Sequence, residues 1–111
     1  MKDLRKPVCW LGDSRDRLRR FPDAARRDAG HQLNSVQARC PAKDSKPMPL
    51  VGPGVIEIRV HLESEYRVLY LAKFEEAVYV LHAFVKKTRK SSSLDIELGR
   101  KRYRELLERR K

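Results

Sequence analysis

Three apolar runs separated by two short charged segments occupy residues 55 to 85, and no other stretch limits the fold as tightly. Val55 to Leu62, Tyr66 to Phe74 and Ala77 to Val85 are rich in β-branched and aromatic residues, which suit a pleated, half-buried surface. Their spacing predicts a three-stranded antiparallel meander. With Glu63-Ser64-Glu65 as a three-residue loop, Leu62 lies opposite Tyr66, which sets Arg59 opposite Leu69, His61 opposite Arg67 and Glu57 opposite Leu71. With Glu75-Glu76 as a two-residue turn, Phe74 lies opposite Ala77, Leu69 meets His82 and Arg67 meets Phe84.

Opposed residues share a face, so this register sorts the side chains. One face carries Ile56, Ile58, Val60, Tyr66, Val68, Tyr70, Tyr79, Leu81, Ala83 and Val85, which makes it a core face. The other carries Glu57, Arg59, His61, Arg67, His82, Phe84 and Lys86, with Leu69, Leu71, Val78 and Val80 toward the far end. A slip of one residue would send every side chain to the wrong side, and the uniformly apolar first face argues against such a slip.

Charge narrows the class of partner. Lys and Arg number 26 against 15 Asp and Glu, a net charge of +11 with a pI near 10.1, the electrostatic footprint of a domain that meets a polyanion. The excess lies in the flanks: residues 1 to 40 hold ten cations and five anions, 41 to 85 five and six, and 86 to 111 eleven and four. A chain of 111 residues is expected to form one domain over residues 1–111. No apolar run approaches the roughly 20 residues that span a bilayer, and no signal-peptide core precedes a cleavage site, so no membrane partner is expected and the cytoplasm is the expected compartment. Cys9 and Cys40 lack metal-site spacing and are given no chemistry.

Before the meander, Pro7 to Gly12 reads as a short strand, and Asp13 caps a short helix to about Arg20, with Asp16 in its first turn. Pro22 suits a first helical position, and Phe21, Ala25, Ala29, Gln32, Leu33, Val36 and Cys40 recur at helical spacing, predicting an amphipathic helix over 22–40. Its arginines and those before it, including Arg19, Arg20, Arg26 and Arg27, read chiefly as a solvated face. Residues 41–54 hold four of the six prolines and two of the five glycines, too long a connection to be an ordinary loop unless ordered or functional. Ser92 or Ser93 caps a last helix whose stripe is Ile96, Gly99, Tyr103, Leu106 and Leu107, with Arg100, Lys101, Arg102 and Arg104 around it. The predicted fold is therefore α+β, in the order β-α-α-β-β-β-α, with an antiparallel meander flanked by two N-terminal helices and a basic C-terminal helix.

At this order of elements the chain resembles the RelE/HigB-type toxins, in the phage-associated HigB-like branch. The segments that carry the resemblance are Lys46-Pro47-Met48-Pro49-Leu50, Gly52-Pro53-Gly54-Val55-Ile56-Glu57-Ile58-Arg59, Tyr66-Arg67-Val68-Leu69-Tyr70 and Leu81-His82-Ala83-Phe84-Val85-Lys86-Lys87. With the last helix it covers residues 6–108. The resemblance implies a RelE-like fold and a type II toxin: a small endoribonuclease that cuts mRNA in the ribosomal A site, inhibits translation and growth, and is neutralised by a cognate HigA-like helix-turn-helix antitoxin. It implies no cofactor and no metal, and contact with DNA only through the antitoxin complex.

Metal-free RNA cleavage uses the neighbouring 2′-hydroxyl as nucleophile. The protein must help remove that proton, offset charge on the phosphorane and protonate the departing 5′-oxygen. Arginine's planar fork suits a phosphate, which selects Arg59 and Arg67 for the scissile group, although an exposed arginine paired with Glu57 is a comparable reading of the same residues. His82 exchanges protons near neutrality, yet a mid-strand histidine is more often structural. Lys86 and Lys87 end the last strand, where related toxins place cations, and alternation sends one of them to the active face. Phe84 can stack on a splayed base or pack beneath the last helix. Lys46, Arg89 and Lys90 complete the expected RNA contacts. Some related toxins carry a glutamate as general base where this chain has Met48, which leaves Glu57, a lysine, His82 or a mechanism without a strong base. A non-catalytic RNA- or ribosome-binding module would need the same basic face and tail.

Overall fold

Strand β1 (Val8–Trp10) leads through helix α1 (Ser14–Arg19) to α2 (Asp23–Gln37) in the computed structural model, which describes residues 4–89 and 92–111. Then come β2 (Ser45–Pro47), β3 (Val55–His61), β4 (Glu65–Leu71), β5 (Val78–Lys86) and α3 (Ser93–Arg109). The expected α+β order holds, with β2 as a strand drawn from the proline-rich segment. The sheet runs β1-β5-β4-β3-β2, with β1 parallel to β5 and the remaining pairs antiparallel. No helix among the described residues is long and apolar enough to cross a membrane.

Both faces of the sheet are covered. On one, α1 and α2 bury Leu18, Phe21, Ala25, Ala29, Leu33 and Val36 against Ile58, Val60, Tyr66, Val68 and Tyr70. On the other, Tyr103 and Leu106 of α3 close over Val55, Leu69, Leu71, Leu81 and Phe84. A fully buried aliphatic such as Leu106 contributes about 2 kcal/mol, so these stripes fix the layers. The α2 stripe matches its predicted spacing except at Cys40, which is exposed. Helix α2 stops at Gln37, and Arg39 just beyond it turns the chain at a φ of 67°. Ser92 caps α3 by accepting a hydrogen bond from the Leu94 amide.

The register departs from expectation in two places. The first hairpin turns on Leu62-Glu63-Ser64, with the Leu62 amide donating to the Ser64 carbonyl, so His61 pairs with Glu65 and Val60 with Tyr66. Arg59 therefore opposes Arg67 rather than Leu69, and Glu57 opposes Leu69 rather than Leu71. This offset is two residues, a whole side-chain period, so every residue of β3 keeps its face.

The second hairpin pairs Arg67 with Phe84 and Leu69 with His82 as expected, but the ladder then slips and Tyr70 pairs with Val80. Leu81 is the extra residue of a bulge, which reverses the faces of the preceding part of β5. Val78 and Val80 consequently join the core under α1 and α2, while Tyr79 and Leu81 join the core under α3, the reverse of the sequence expectation. The two-residue Glu75-Glu76 turn does not form. Residues 72–77 make a wider connection, in which Glu76 accepts from the Tyr79 hydroxyl and from Arg110. Val85, expected in the core, is exposed where the helical layer ends.

Residues 41–54 are ordered by α3. Tyr103 donates to the Pro53 carbonyl at 3.0 Å and Arg100 to the Leu50 carbonyl at 2.7 Å. Gly52 is required there, because a Cβ would stand 2.9 Å from the Tyr103 ring.

Candidate nucleic-acid interface

Three rows of opposed residues cross the α3-side face of the sheet. Lys46, Glu57, Leu69 and His82 form one; Arg59, Arg67 and Phe84 the next; His61, Glu65 and Lys86 the last. The second and third rows carry most of the charge, although Phe84 in the second still packs in the core under α3.

Arg67 is 5 % exposed although it is charged. Its guanidinium donates to the Glu65 carboxylate and to the Tyr66 carbonyl, both at 3.0 Å, and its Nε stands 3.5 Å from Glu57. Glu57 is buried at 1 % exposure, with Oε2 unpartnered. Arg59 lies 3.4 Å from Asp44, which also approaches His61 at 2.8 Å. The other ring nitrogen of His61 is 2.6 Å from Glu65. Partial desolvation pushes Glu65 upward, but its bonds to Arg67 and His61 prevail and hold its carboxyl below the usual value. The result is a linked row, Arg59–Asp44–His61–Glu65–Arg67–Glu57, in which carboxylates alternate with nitrogen-bearing side chains.

Asp44 is placed by the core. Buried Gln32 of α2 donates to the Arg59 carbonyl at 3.1 Å and accepts from the Asp44 amide at 2.9 Å, while the Arg59 amide donates to the Asp44 carbonyl. An amphipathic-stripe position thus fixes a carboxylate on the far side of β3.

An open cleft of about 450 Å³ lies beside Arg67, lined by Glu65, Arg67, Lys86, Lys87, Thr88 and Arg89. Lys86 stands opposite Glu65 and so belongs to the charged face, whereas Lys87 follows the end of β5. Neither lysine has an ion pair among the described residues. Lys46 is exposed on β2 opposite Glu57 and away from this cleft. Lys90 lies outside the described residues.

His82 stands apart. Its side chain has no exposed surface, its Nε2 is 2.7 Å from Asp95 in the first turn of α3, and its ring stacks on Phe84 at a centroid distance of 5.2 Å. Burial pushes its pKa down more strongly than Asp95 pulls it up. Phe84 is itself 6 % exposed, within the α3-side core. The geometry thus joins Arg67, Lys86, Lys87 and Arg89 around one opening, sets Arg59 opposite Arg67 on the neighbouring strand but outside the cleft lining, and leaves Glu57, His82 and Phe84 buried.

Sequence reasoning placed His61 on this face without giving it a role and passed over Asp44 and Glu65. A true loop of Leu62-Glu63-Ser64 would have put His61 and Glu65 in register across the hairpin. Nothing local marks Asp44, whose position depends on Gln32.

Residues 16–104 match the family described as "Phage derived protein Gp49-like (DUF891)", a span that includes most of α1, all of α2, the whole charged face and most of α3. No curated protein matches the chain. The chain therefore belongs to the phage-derived Gp49-like family, whose members are RelE/HigB-like toxins.

Proposed function

We propose that this protein is the toxin of a type II toxin–antitoxin system, of the HigB-like branch, and that it cuts mRNA in the ribosomal A site. The observation that carries this reading is the cleft in which Arg67 meets Lys86, Lys87 and Arg89 at the open end of the sheet. Arg67, held by Glu57 and Glu65, presents a preformed guanidinium to a phosphate. Arg59 flanks it. Lys86 and Lys87 supply mobile ammonium groups that offset charge on the phosphorane and protonate the departing 5′-oxygen, while the 2′-oxygen closes on phosphorus to leave a 2′,3′-cyclic phosphate. His61 and Glu65 are the accessible proton acceptors beside the two arginines, and they replace the enclosed His82 and Glu57 in that role. Lys46, Arg89 and Lys90 contact flanking RNA, and Phe84 serves as a floor beneath the site. Its neutralising partner is a HigA-like helix-turn-helix antitoxin that covers the basic face and carries the complex to DNA.

Lys86 and Lys87 make the cleaner test, because Arg67 also holds a buried ion pair. Expression alone should arrest bacterial growth and create new in-frame mRNA 5′ ends, relieved by the neighbouring gene. Lys86→Ala/Lys87→Ala should abolish the cuts with an unchanged melting temperature. Arrest without new ends would sink the nuclease reading.

A binding-only module is favoured by one observation: neither Glu57 nor His82 reaches the surface. It predicts that Arg59→Ala lowers RNA binding and growth arrest by the same factor.

A further inference from the structure

A second hollow, of about 330 Å³, opens on the opposite side of the sheet, between the end of α2, the segment before β1 and the end of β4. Lys6, Val36, Arg39, Tyr70, Ala72 and Glu75 stand in its walls. Tyr70 belongs to the core under α1 and α2, so the sheet separates this hollow from the Arg67 cleft. The toxin reading uses none of these residues.

Lys6 is 6 % exposed, an unusual place for an ammonium group without a carboxylate. Its Nζ donates one hydrogen bond, to the Ala72 carbonyl at 2.6 Å, and has no ion pair among the described residues. An ammonium has three donors, so two remain. Tyr70 is 5 % exposed, and its hydroxyl has no partner among the described residues. Burial raises its pKa, which keeps the phenol protonated as a donor. Arg39, turned into the rim by its positive φ, is matched by Glu75 at 2.7 Å. The net charge of the walls is therefore that of Lys6, a single positive charge. Val36, Pro41 and Ala72 supply an apolar part of the lining, beside Cys40.

We propose that this hollow binds a carboxylate carried on a short apolar stem, with Lys6 and Tyr70 as its donors. A singly charged anion matches the one uncompensated cation, whereas a phosphate dianion would leave charge unpaired in a partly dry site. The same chemistry could reach the site as a free small acid or as a glutamate side chain of a bound polypeptide.

Amide-resolved NMR titration of the full chain tests this with sodium butyrate as probe and butylammonium chloride and sodium phosphate as controls. Butyrate should give saturable shifts at Lys6, Arg39, Tyr70 and Ala72, with butylammonium silent. Tyr70→Phe, which keeps the ring in its core, should weaken binding roughly tenfold or more, as expected for losing a hydrogen bond to a charged group. Lys6→Met should do the same where it folds. A blocked peptide containing one glutamate that binds more tightly than butyrate would assign the carboxylate to a polypeptide, and weaker binding would assign it to a free acid. Shifts that fail to saturate, that persist in Tyr70→Phe, or that follow phosphate with butyrate silent overturn the proposal. The cleavage assay is a separate readout, so loss of either reading leaves the other standing.

Discussion

Arg59 and Arg67 stand directly opposite one another across the β3–β4 ladder, and each guanidinium is held by its own carboxylate. Like charges at opposed positions destabilise a sheet. Asp44 and Glu65 offset that repulsion, and Glu57 lies beneath Arg67, so two cations can be held side by side on the sheet.

The Glu57–Arg67 contact is removed from water, with side chains 2 % and 6 % exposed. Deleting one partner of such a pair leaves a buried charge uncompensated and costs about 3–5 kcal/mol. Arg67→Met and Glu57→Leu should each lower the unfolding free energy by about 3 kcal/mol in urea titrations, while the double variant recovers most of that loss. Additive losses in the double variant would show that the two charges do not act as a pair.

His61 links the two arginine sites, since its ring nitrogens reach Asp44 and Glu65 at 2.8 and 2.6 Å. The network is half exposed, and exposed ion pairs add only about 0–1 kcal/mol, so His61→Phe should leave the melting temperature nearly unchanged. Displaced arginines should nevertheless slow single-turnover cleavage of ribosome-bound mRNA at least about tenfold, because small misplacements of catalytic groups are costly. Cleavage at the wild-type rate would remove His61 from the site.

His82 predicts the behaviour of the fold in acid. Its pKa is lowered from 6.5, chiefly by burial, with Asp95 opposing the shift. Below that value the unfolded chain takes up the proton first, so the stability that the neutral ring contributes is complete above pH 6.5 and is lost as pH falls. Urea midpoints should therefore drop more between pH 7 and pH 5 in the wild type than in His82→Gln. Parallel profiles would place the acid sensitivity elsewhere.

The contrast between His82 and His61 shows what the sequence makes legible. Alternation put both on the charged face, and a two-residue error in the first hairpin did not disturb that, because side chains repeat every two residues. Alternation carries no information on what covers a face. The first turn of α3, with Asp95, closes over His82, and Gln32 on α2 brings Asp44 to His61; both contacts join residues more than ten positions apart in the chain. The bulge at Leu81 was hidden for a related reason. Val78 to Leu81 are all apolar, so either face assignment buries hydrophobic side chains, and only the wider 72–77 connection decides between them.

Two glycines separate backbone cost from packing need. Gly30 lies in the exposed middle of α2 with nothing within 4 Å of a Cβ placed there, so Gly30→Ala should stabilise by about 1 kcal/mol through the helix backbone alone. That corresponds to a rise of roughly 4 °C or more in melting temperature for a domain of this size. Gly52 behaves oppositely. An alanine methyl would stand 2.9 Å from the Tyr103 ring, whose hydroxyl holds the Pro53 carbonyl, so Gly52→Ala must push α3 away from the proline-rich segment at a cost of about 1–3 kcal/mol. Because α3 also carries the carboxylate that meets His82, the displacement should reach the floor of the charged face. Gly52→Ala should thus raise hydrogen exchange in the first turn of α3 as well as lower the melting temperature, whereas Gly30→Ala should leave that turn unchanged. Equal exchange in both variants would mean that α3 is not held by the Tyr103 contact.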